Sequence, residues 1–574
     1  MGGKPPRARR QSGLLEVFFI LVLANTASVR AEDWRDWEGA KIRLHVARAA
    51  VLHNDFSTGL ALSAAMDSEQ REVRLALDNL NRTSPPPRQS GIRLEAYISE
   101  IDDSPQPFWR YLPPEPATQA PPLLVFLHGY NPYFNLASDF CFPTCMTNLA
   151  NRTGAAIVAP FGRGNTDFQH IGEQDVLRVI DEMHVRYGID PERVVLAGMS
   201  MGGLGAWCIG SRWADRFNAL LIFCGRGDFY VWHKLGPGDL PGWQRELVDT
   251  QFATRYLDRL LELPILATHG RYDDIVSYEQ GVFPAQELLR LGAKQTRFIT
   301  FSYAGHDVFG YSWFHQPVQQ FLEAGLTRVN AKPPPRTAGR PGATGSRLQD
   351  AFLSPFIFIG GDENNNDDDD DNVDDYYSVT KTNATKLQER AWEWESFAFA
   401  RPRTALESDL DLAQAAQANL FVFGEPETSP LIRRILETGG VLYTDDTYTI
   451  AGRTLPRADH GLWFTGINPF NSKLTAVVQT GIAWGQRLPV NHRYDRIPDV
   501  IVYSADTDRW GSNVALAAGF IGLDQRVRWS DPPFTEAIRR PPDLPIWTYD
   551  DEAVRLGFPA ADDDEDNAPL DPPF

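Results

Sequence analysis

Gly198-Met199-Ser200-Met201-Gly202 is the stretch whose residue types and spacing could do chemistry. A serine hydroxyl is a poor nucleophile at neutral pH. It becomes one when a base accepts its proton and a third group orients that base. The chemistry would be attack on a carbonyl carbon followed by acyl transfer. Val194-Val195-Leu196-Ala197 reads as a buried strand before the motif, and Gly203-Leu204-Gly205-Ala206-Trp207 as a tightly packed helix start after it. Strand, G-x-S-x-G and helix is the context that holds a serine on a sharp turn with its hydroxyl exposed. A chain this long produces the bare pattern by accident often enough that its flanks and partners must carry the reading.

A base and an acid should follow Ser200 in the order acid, then histidine. His306 is the candidate base. It lies in Tyr303-Ala304-Gly305-His306-Asp307, just past a strand, where glycine permits a tight loop; His315 is a reserve. For the acid, Leu263–Thr268 reads as a strand running into His269-Gly270-Arg271-Tyr272-Asp273-Asp274, and the spacing from the His-Gly turn favours Asp273 over Asp274. His269 shapes that turn. The tetrahedral intermediate needs N–H donors for its oxyanion. Met201, directly after the nucleophile, offers one. Leu127-His128-Gly129-Tyr130 follows the first core strand and offers the N–H of Tyr130, with His128 in a structural role.

These residues need a scaffold. At 574 residues the chain exceeds one ordinary domain. Apolar strands at Leu123–Leu127, Ala155–Ala159, Arg193–Ala197, Ala219–Phe223, Ile265–Thr268 and Phe298–Phe301 alternate with amphipathic helices at Glu173–Tyr187 and Leu204–Ala214. Such alternation predicts a mostly parallel α/β sheet, whose active groups sit beyond the strand C-termini. A hairpin is expected over 92–112. Residues 92–330 would form this core, after an N-terminal helical region at 32–91. The Pro/Gly-rich segment 331–346 reads as a linker. Residues 347–545 read as a smaller C-terminal α/β unit with strands at Pro355–Ile359, Asn419–Phe423, Leu474–Gln479 and Asp499–Tyr503, and 546–574 as an acidic tail. Phe423-Gly424-Glu425-Pro426 could be a ligand loop of a nucleotide-binding kind, although a plain turn accounts for it as well. Trp463, Phe464, Trp484 and Trp510 read as core residues that could instead bind a ligand.

The net charge of −20 is concentrated in two runs, nine acids in 362–375 and five in 562–566. Without those the balance is about −6, ordinary for a folded protein. An acidic chain argues against nucleic-acid binding. Lys4, Arg7, Arg9 and Arg10 precede a mostly apolar run, Leu14–Leu23, and Val29-Arg30-Ala31 puts small residues where a signal peptidase cuts. Residues 1–31 therefore read as a signal peptide and the protein as secreted or periplasmic, against the objection of Glu16. The run is too short to span a bilayer, so the mature chain is expected to have no transmembrane segment. Four cysteines make no disulfide scaffold, and none has zinc spacing with histidine. Cys141 and Cys145 are near enough for a local bridge, while Cys208 and Cys224 read as buried fillers. In a eukaryotic secretory path the triplets at Asn81, Asn151 and Asn383 would be glycosylation acceptors.

Four segments in order resemble the secreted α/β-hydrolases of the carboxylesterase type, including feruloyl-esterase-like and polyhydroxybutyrate-depolymerase-like proteins, and the catalytic domain of the prolyl oligopeptidase family. They are Leu127-His128-Gly129; Ile189–Val194 leading to Gly198–Gly203; His269-Gly270 with Asp273 and Val276; and Gly305-His306-Asp307. The resemblance spans roughly 92–325. It implies the α/β-hydrolase fold, a Ser200–His306–Asp273 triad, and an acyl-enzyme route needing neither metal nor cofactor. Its substrates would be carboxylic esters, with a peptidase of the prolyl oligopeptidase class as the alternative and a non-catalytic binding protein as a third reading. Prolyl oligopeptidases usually carry a large β-propeller. The roughly 90 residues before the core leave little room for one, and the C-terminal unit does not read as blades. Oligomeric state is not legible.

Overall fold

A computed structural model describes residues 90–114, 120–130, 144–236, 239–333, 345–361, 383–508, 511–522 and 524–530. The signal-peptide and N-terminal helical readings (apart from residues 90 and 91), Cys141, most of the linker, the acidic insertion, Trp510 and the acidic tail lie outside the described residues.

The first sheet has eight strands in the order β1-β2-β4-β3-β5-β6-β7-β8. β1 (Gly91–Ile98) and β2 (Pro105–Leu112) form the expected antiparallel hairpin, and β2 also runs antiparallel to β4 (Ala156–Pro160). The rest is parallel: β3 (Leu123–Leu127), β5 (Val194–Met199), β6 (Ala219–Phe223), β7 (Ile265–Gly270) and β8 (Thr296–Phe301). β3, β4 and β6 are buried at every residue, as a sheet covered on both faces requires. Helices α1 (Thr144–Thr153), α2 (Ile171–Tyr187), α3 (Met201–Arg212), α4 (Tyr278–Arg290) and α5 (Gln316–Thr327) supply the cover. One core, with Leu196, Leu204, Trp207 and Leu220, lies on one face; the other, with Val195, Leu221, Leu266 and Trp313, lies opposite. α3 begins at Met201 rather than Leu204, because the chain enters the helix directly from the motif. α2 ends on Gly188 at φ 63°, a left-handed cap that glycine adopts without strain.

The C-terminal unit carries a second eight-stranded sheet. β9 (Phe356–Gly360), β10 (Arg403–Leu406), β11 (Asn419–Phe423) and β16 (Thr475–Gly481) are parallel. β15 (Gly461–Ile467), β17 (Val500–Thr507), β18 (Asn513–Ile521) and β19 (Val527–Ser530) continue it antiparallel. A three-stranded meander, β12 (Val441–Tyr443), β13 (Thr447–Ile450) and β14 (Arg453–Pro456), stands beside it. The unit is α/β, but half of its main sheet is antiparallel. The sequence reading found β9, β11, β16 and β17 and missed β10, β12–β15, β18 and β19. Most of these are short or half-exposed and carry too little apolar periodicity to stand out; β15 is buried, but its two glycines and threonine interrupt the apolar run. Trp463 and Trp484 are core residues.

The two units are joined by shared burial and by charge. Ile101, Ile171 and Trp243 of the first pack into one cluster with Phe352, Trp394 and Phe397 of the second. Arg163, in the loop after β4, is fully buried. It donates to Asp102 Oδ2 at 2.6 Å, Asp175 Oδ2 at 2.8 Å, Ser99 Oγ at 2.9 Å and the Ala398 carbonyl at 3.3 Å. Burial alone would lower its pKa, but the two carboxylates outweigh that and raise it. Removing one member of such a cluster strands the others. Arg163→Ala should therefore cost about 3–5 kcal/mol in urea unfolding, a far larger loss than Arg178→Ala at the exposed pair with Glu100.

Residues 491–496 reach over the loops beyond the first sheet. Asn491 Nδ2 donates to the Asn165 carbonyl at 3.1 Å, Asp495 lies 3.8 Å from His170 Nε2, and the Arg496 guanidinium sits 5.2 Å from the Phe229 ring centre. Burial pushes the His170 imidazole down to about 4, against the opposing pull of Asp495. A histidine whose pKa is lowered on folding binds a proton in the unfolded chain first, so stability falls as pH drops from about 6.5 towards 4. His170→Asn should blunt this acid loss by up to about 3 kcal/mol, measured as the urea midpoint against pH.

Candidate active site

Ser200 ends β5 and opens α3. Its backbone sits at φ 55°, ψ −114°, a conformation L residues avoid and one that stores strain at functional turns. Close backbone approach holds it there. A Cβ on Gly198 would lie 2.0 Å from the Gly202 carbonyl oxygen, and one on Gly202 2.1 Å from that of Leu127. Only glycine fits at these two points, so the flanking residues of the motif are dictated by packing. The Ser200 N–H donates to the Phe223 carbonyl at 2.9 Å, tying the turn to β6.

His306 lies on the loop after β8, and Asp273 on the loop after β7. The His306 Nε2 is 2.9 Å from Ser200 Oγ, and its Nδ1 is 2.8 Å and 3.0 Å from the two Asp273 oxygens. A carboxylate can only accept, so Nδ1 carries the ring proton and Nε2 presents a lone pair to the serine hydroxyl. Ser200 and Asp273 are buried, while the His306 side chain is about one-sixth exposed (17%). Asp273 also accepts the N–H groups of Ile275 at 3.0 Å and Val276 at 2.8 Å. Burial pushes its pKa up, but the hydrogen bonds from His269, His306 and Val276 outweigh that and hold the carboxyl well below the usual range.

His269 is buried behind Asp273. Its Nε2 lies 2.8 Å from the Val276 carbonyl and 3.3 Å from Asp273 Oδ2, so the ring carries its proton there and braces the acid's turn. Its Nδ1 has no partner and faces Gly281, where a Cβ would approach to 2.3 Å. Asp274 is exposed and carries none of these contacts.

On the oxyanion side, a Cβ on Gly129 would lie 3.6 Å from Ser200 Cβ, which puts the loop after β3 against the nucleophile. Met201 begins α3, so its N–H has no helical carbonyl partner and is free for a ligand. Tyr130 follows Gly129 on that loop and is exposed. His128 is buried. Its Nδ1 lies 2.9 Å from the Gly129 carbonyl and its Nε2 3.1 Å from that of Phe161, so it pins the loop. Burial lowers its pKa, against the opposing pull of these two carbonyls.

Cys224 was read as a filler, yet its thiol lies 3.6 Å from the His306 carbonyl and buttresses the base's loop. No sequence signal marks that role. Its sulfur, the Asp273 carboxylate and the His306 ring form the one grouping with metal-ligand proximity among the described residues. Asp273 and His306 are already bonded to each other, and burial keeps the thiol protonated. The grouping is thus built as a proton relay rather than a metal cradle.

The strand order, the strained serine turn and the aligned serine, imidazole and carboxylate define an α/β-hydrolase domain of the serine-hydrolase class. Residues 162–323, which contain all three side chains, match the prolyl oligopeptidase family. Over 171 residues the chain is 29% identical to a bifunctional acetylxylan esterase/xylanase from Neocallimastix patriciarum, covering 29% of this chain and 21% of that protein. It thus spans about a fifth of the length of that curated relative. Among solved structures it is similar to an S-formylglutathione hydrolase from Agrobacterium tumefaciens (16% identity, 43% of this chain and 99% of that one, TM-score 0.34). It is also similar to a puromycin-hydrolyzing peptidase from Mycobacterium tuberculosis (21% identity, 41% and 38%, TM-score 0.33). No helix among the described residues is long and apolar enough to cross a membrane.

Proposed function

We propose that this protein is an exported serine hydrolase that cleaves carboxylic esters through an acyl-enzyme. One observation carries the reading: Ser200 Oγ, His306 and Asp273 form an unbroken hydrogen-bonded line with steps of 2.9 and 2.8 Å. His306 Nε2 takes the proton as Ser200 Oγ attacks the carbonyl carbon. Asp273 stabilises the imidazolium without itself taking a proton. The oxyanion is held by the N–H groups of Met201 and Tyr130. His306 then protonates the departing alkoxide, and the ester bond breaks. In the second half, His306 deprotonates a water that attacks the acyl-enzyme, and the carboxylic acid leaves as Ser200 recovers its proton.

Ester rather than peptide cleavage is supported by the esterase activity named for the curated relative. It is also supported by the sheets themselves: among the described residues there are two eight-stranded sheets and one of three strands, none arranged as propeller blades. The family match favours the second reading, a serine-type peptidase. A panel of short acyl esters, feruloyl esters and proline-containing peptide amides, run on the purified mature chain, decides between them. Peptide turnover without ester turnover would reverse the order. Export rests on residues 1–31, and N-terminal sequencing of secreted material should begin at Glu32.

A further inference from the structure

The strap at residues 491–496 is fixed to its own unit. Tyr494 is buried among Phe352, Trp394 and Phe397; Arg493 Nε donates to the Gly485 carbonyl at 3.2 Å, and Arg493 Nη1 lies 3.1 Å from Glu393. Asn491, Asp495 and Arg496 meet the catalytic unit instead. Asn491 Nδ2 donates to the Asn165 carbonyl at 3.1 Å and also lies 3.0 Å from His492 Nε2. An amide nitrogen can only donate, so Nε2 is the acceptor and bears no proton. The ring proton is on Nδ1, which donates to Asp495 Oδ2 at 2.8 Å. Burial pushes the Asp495 carboxyl up, but the His492 hydrogen bond and the positive charge around it outweigh that and bring it down to about 2, so it stays an acceptor. This chain of bonds closes only around a neutral His492. A second proton, on Nε2, would set an N–H against the Asn491 N–H. Turning the amide over relieves that clash but sets its oxygen against the Asn165 carbonyl, so the link between the units is lost either way.

The surrounding charges act in the same direction. Asp495 and Arg496 on the strap, His170, Asp167 and Arg212 from α3 and the loop before α2, and His233 and Arg226 from the segment after β6 all face this cluster. Arg212 is paired with Glu173, Arg226 with Asp167 and Arg496 with Asp495. The cluster is balanced while its three imidazoles are neutral, and each further proton adds an uncompensated positive charge. Burial, with the guanidinium groups of Arg496 and Arg226, pushes His233 down to about 4, where burial also puts His170. The His492 side chain is 27% exposed and open to protons from solvent. Both segments that the strap touches back onto the nucleophile's helix. Phe168 covers Gly205, where a Cβ would lie 2.7 Å from the Phe168 Cβ, and its ring centre is 4.9 Å from that of His128. Gly225 covers Gly203, where a Cβ would lie 2.5 Å from the Gly225 Cα.

We propose that residues 491–496 form a proton-released latch: with His492 neutral they clamp segments 165–170 and 226–233 onto the Ser200 helix, and with His492 charged they let them go. The latch acts on the walls of the site and stands whichever bond the triad cleaves. Hydrogen–deuterium exchange on the full chain tests it, read peptide by peptide at about pH 7.5 and about pH 5.0 and corrected for the intrinsic exchange rate at each. Protection of 165–170 and 226–233 should fall about tenfold at the lower pH, while β3 and β5 stay unchanged. His492→Gln, whose amide accepts and donates as the neutral ring does but takes no proton, should keep its protection at both. His492→Ala should show the released state at both. Unchanged protection in the parent, the same fall in His492→Gln, full protection in His492→Ala, or a loss spread evenly over β3 and β5 would each overturn the latch.

Discussion

Ser200→Ala should lower kcat on an activated ester by about 10⁴–10⁶-fold and abolish covalent labelling by a fluorophosphonate. The hydroxyl is the only group in the line that can bond to the acyl carbon, and His306 without it activates nothing within reach. The variant should fold normally. The turn is fixed by backbone contacts at Gly198 and Gly202 and by the bond from the residue 200 N–H to Phe223, none of which uses the hydroxyl. Substrate binding should change little, so the loss falls on kcat rather than KM. Labelling that survives the substitution would place the nucleophile elsewhere and leave a binding protein as the better reading.

The second large effect is expected from Asp273→Asn, a loss of about 10⁴-fold. An amide cannot balance the imidazolium charge, and its NH₂ competes with His306 Nδ1–H, favouring the tautomer that offers Ser200 a proton instead of taking one. Here the substitution also touches the fold. Asp273 accepts the N–H groups of Ile275 and Val276 and faces His269 at 3.3 Å. Its carboxyl is held below the usual range on folding, so its share of stability is complete above the unfolded pKa near 3.9 and is lost as pH falls below it. At neutral pH the variant should therefore unfold at lower urea as well as turn over slowly. Near-UV circular dichroism separates a folded, slow enzyme from a collapsed one. Activity within tenfold of the parent would remove Asp273 from the relay.

How much could be read from the chain depended on how local the cause was. The buried strands of the first sheet were legible because a run such as Leu123–Leu127 is apolar at every residue and bounded by proline and glycine. Ser200, Asp273 and His306 were legible for a similar reason: each sits one to five residues past a strand, with a glycine within three residues, where side chains must project from the sheet edge. The roles of Cys224 and Arg163 were not. Cysteine in an apolar strand end looks like filler, and an arginine in a loop looks solvated. Each acquires its role from partners distant in sequence, such as Asp102 and Ala398 for Arg163.

Taken alone, the order of residues determined the sheet class, the nucleophilic turn and the identity of its partners, because strand burial and glycine-only backbone positions are imposed by neighbours within a few residues. Tertiary structure alone decided the rest: the seating of residues 491–496 over the first sheet's loops, and the packing of Ile101, Ile171 and Trp243 with Phe352, Trp394 and Phe397. Those features come from side chains brought together across tens to hundreds of residues, where the deciding energies are burial and charge pairing between segments that carry no local mark of each other.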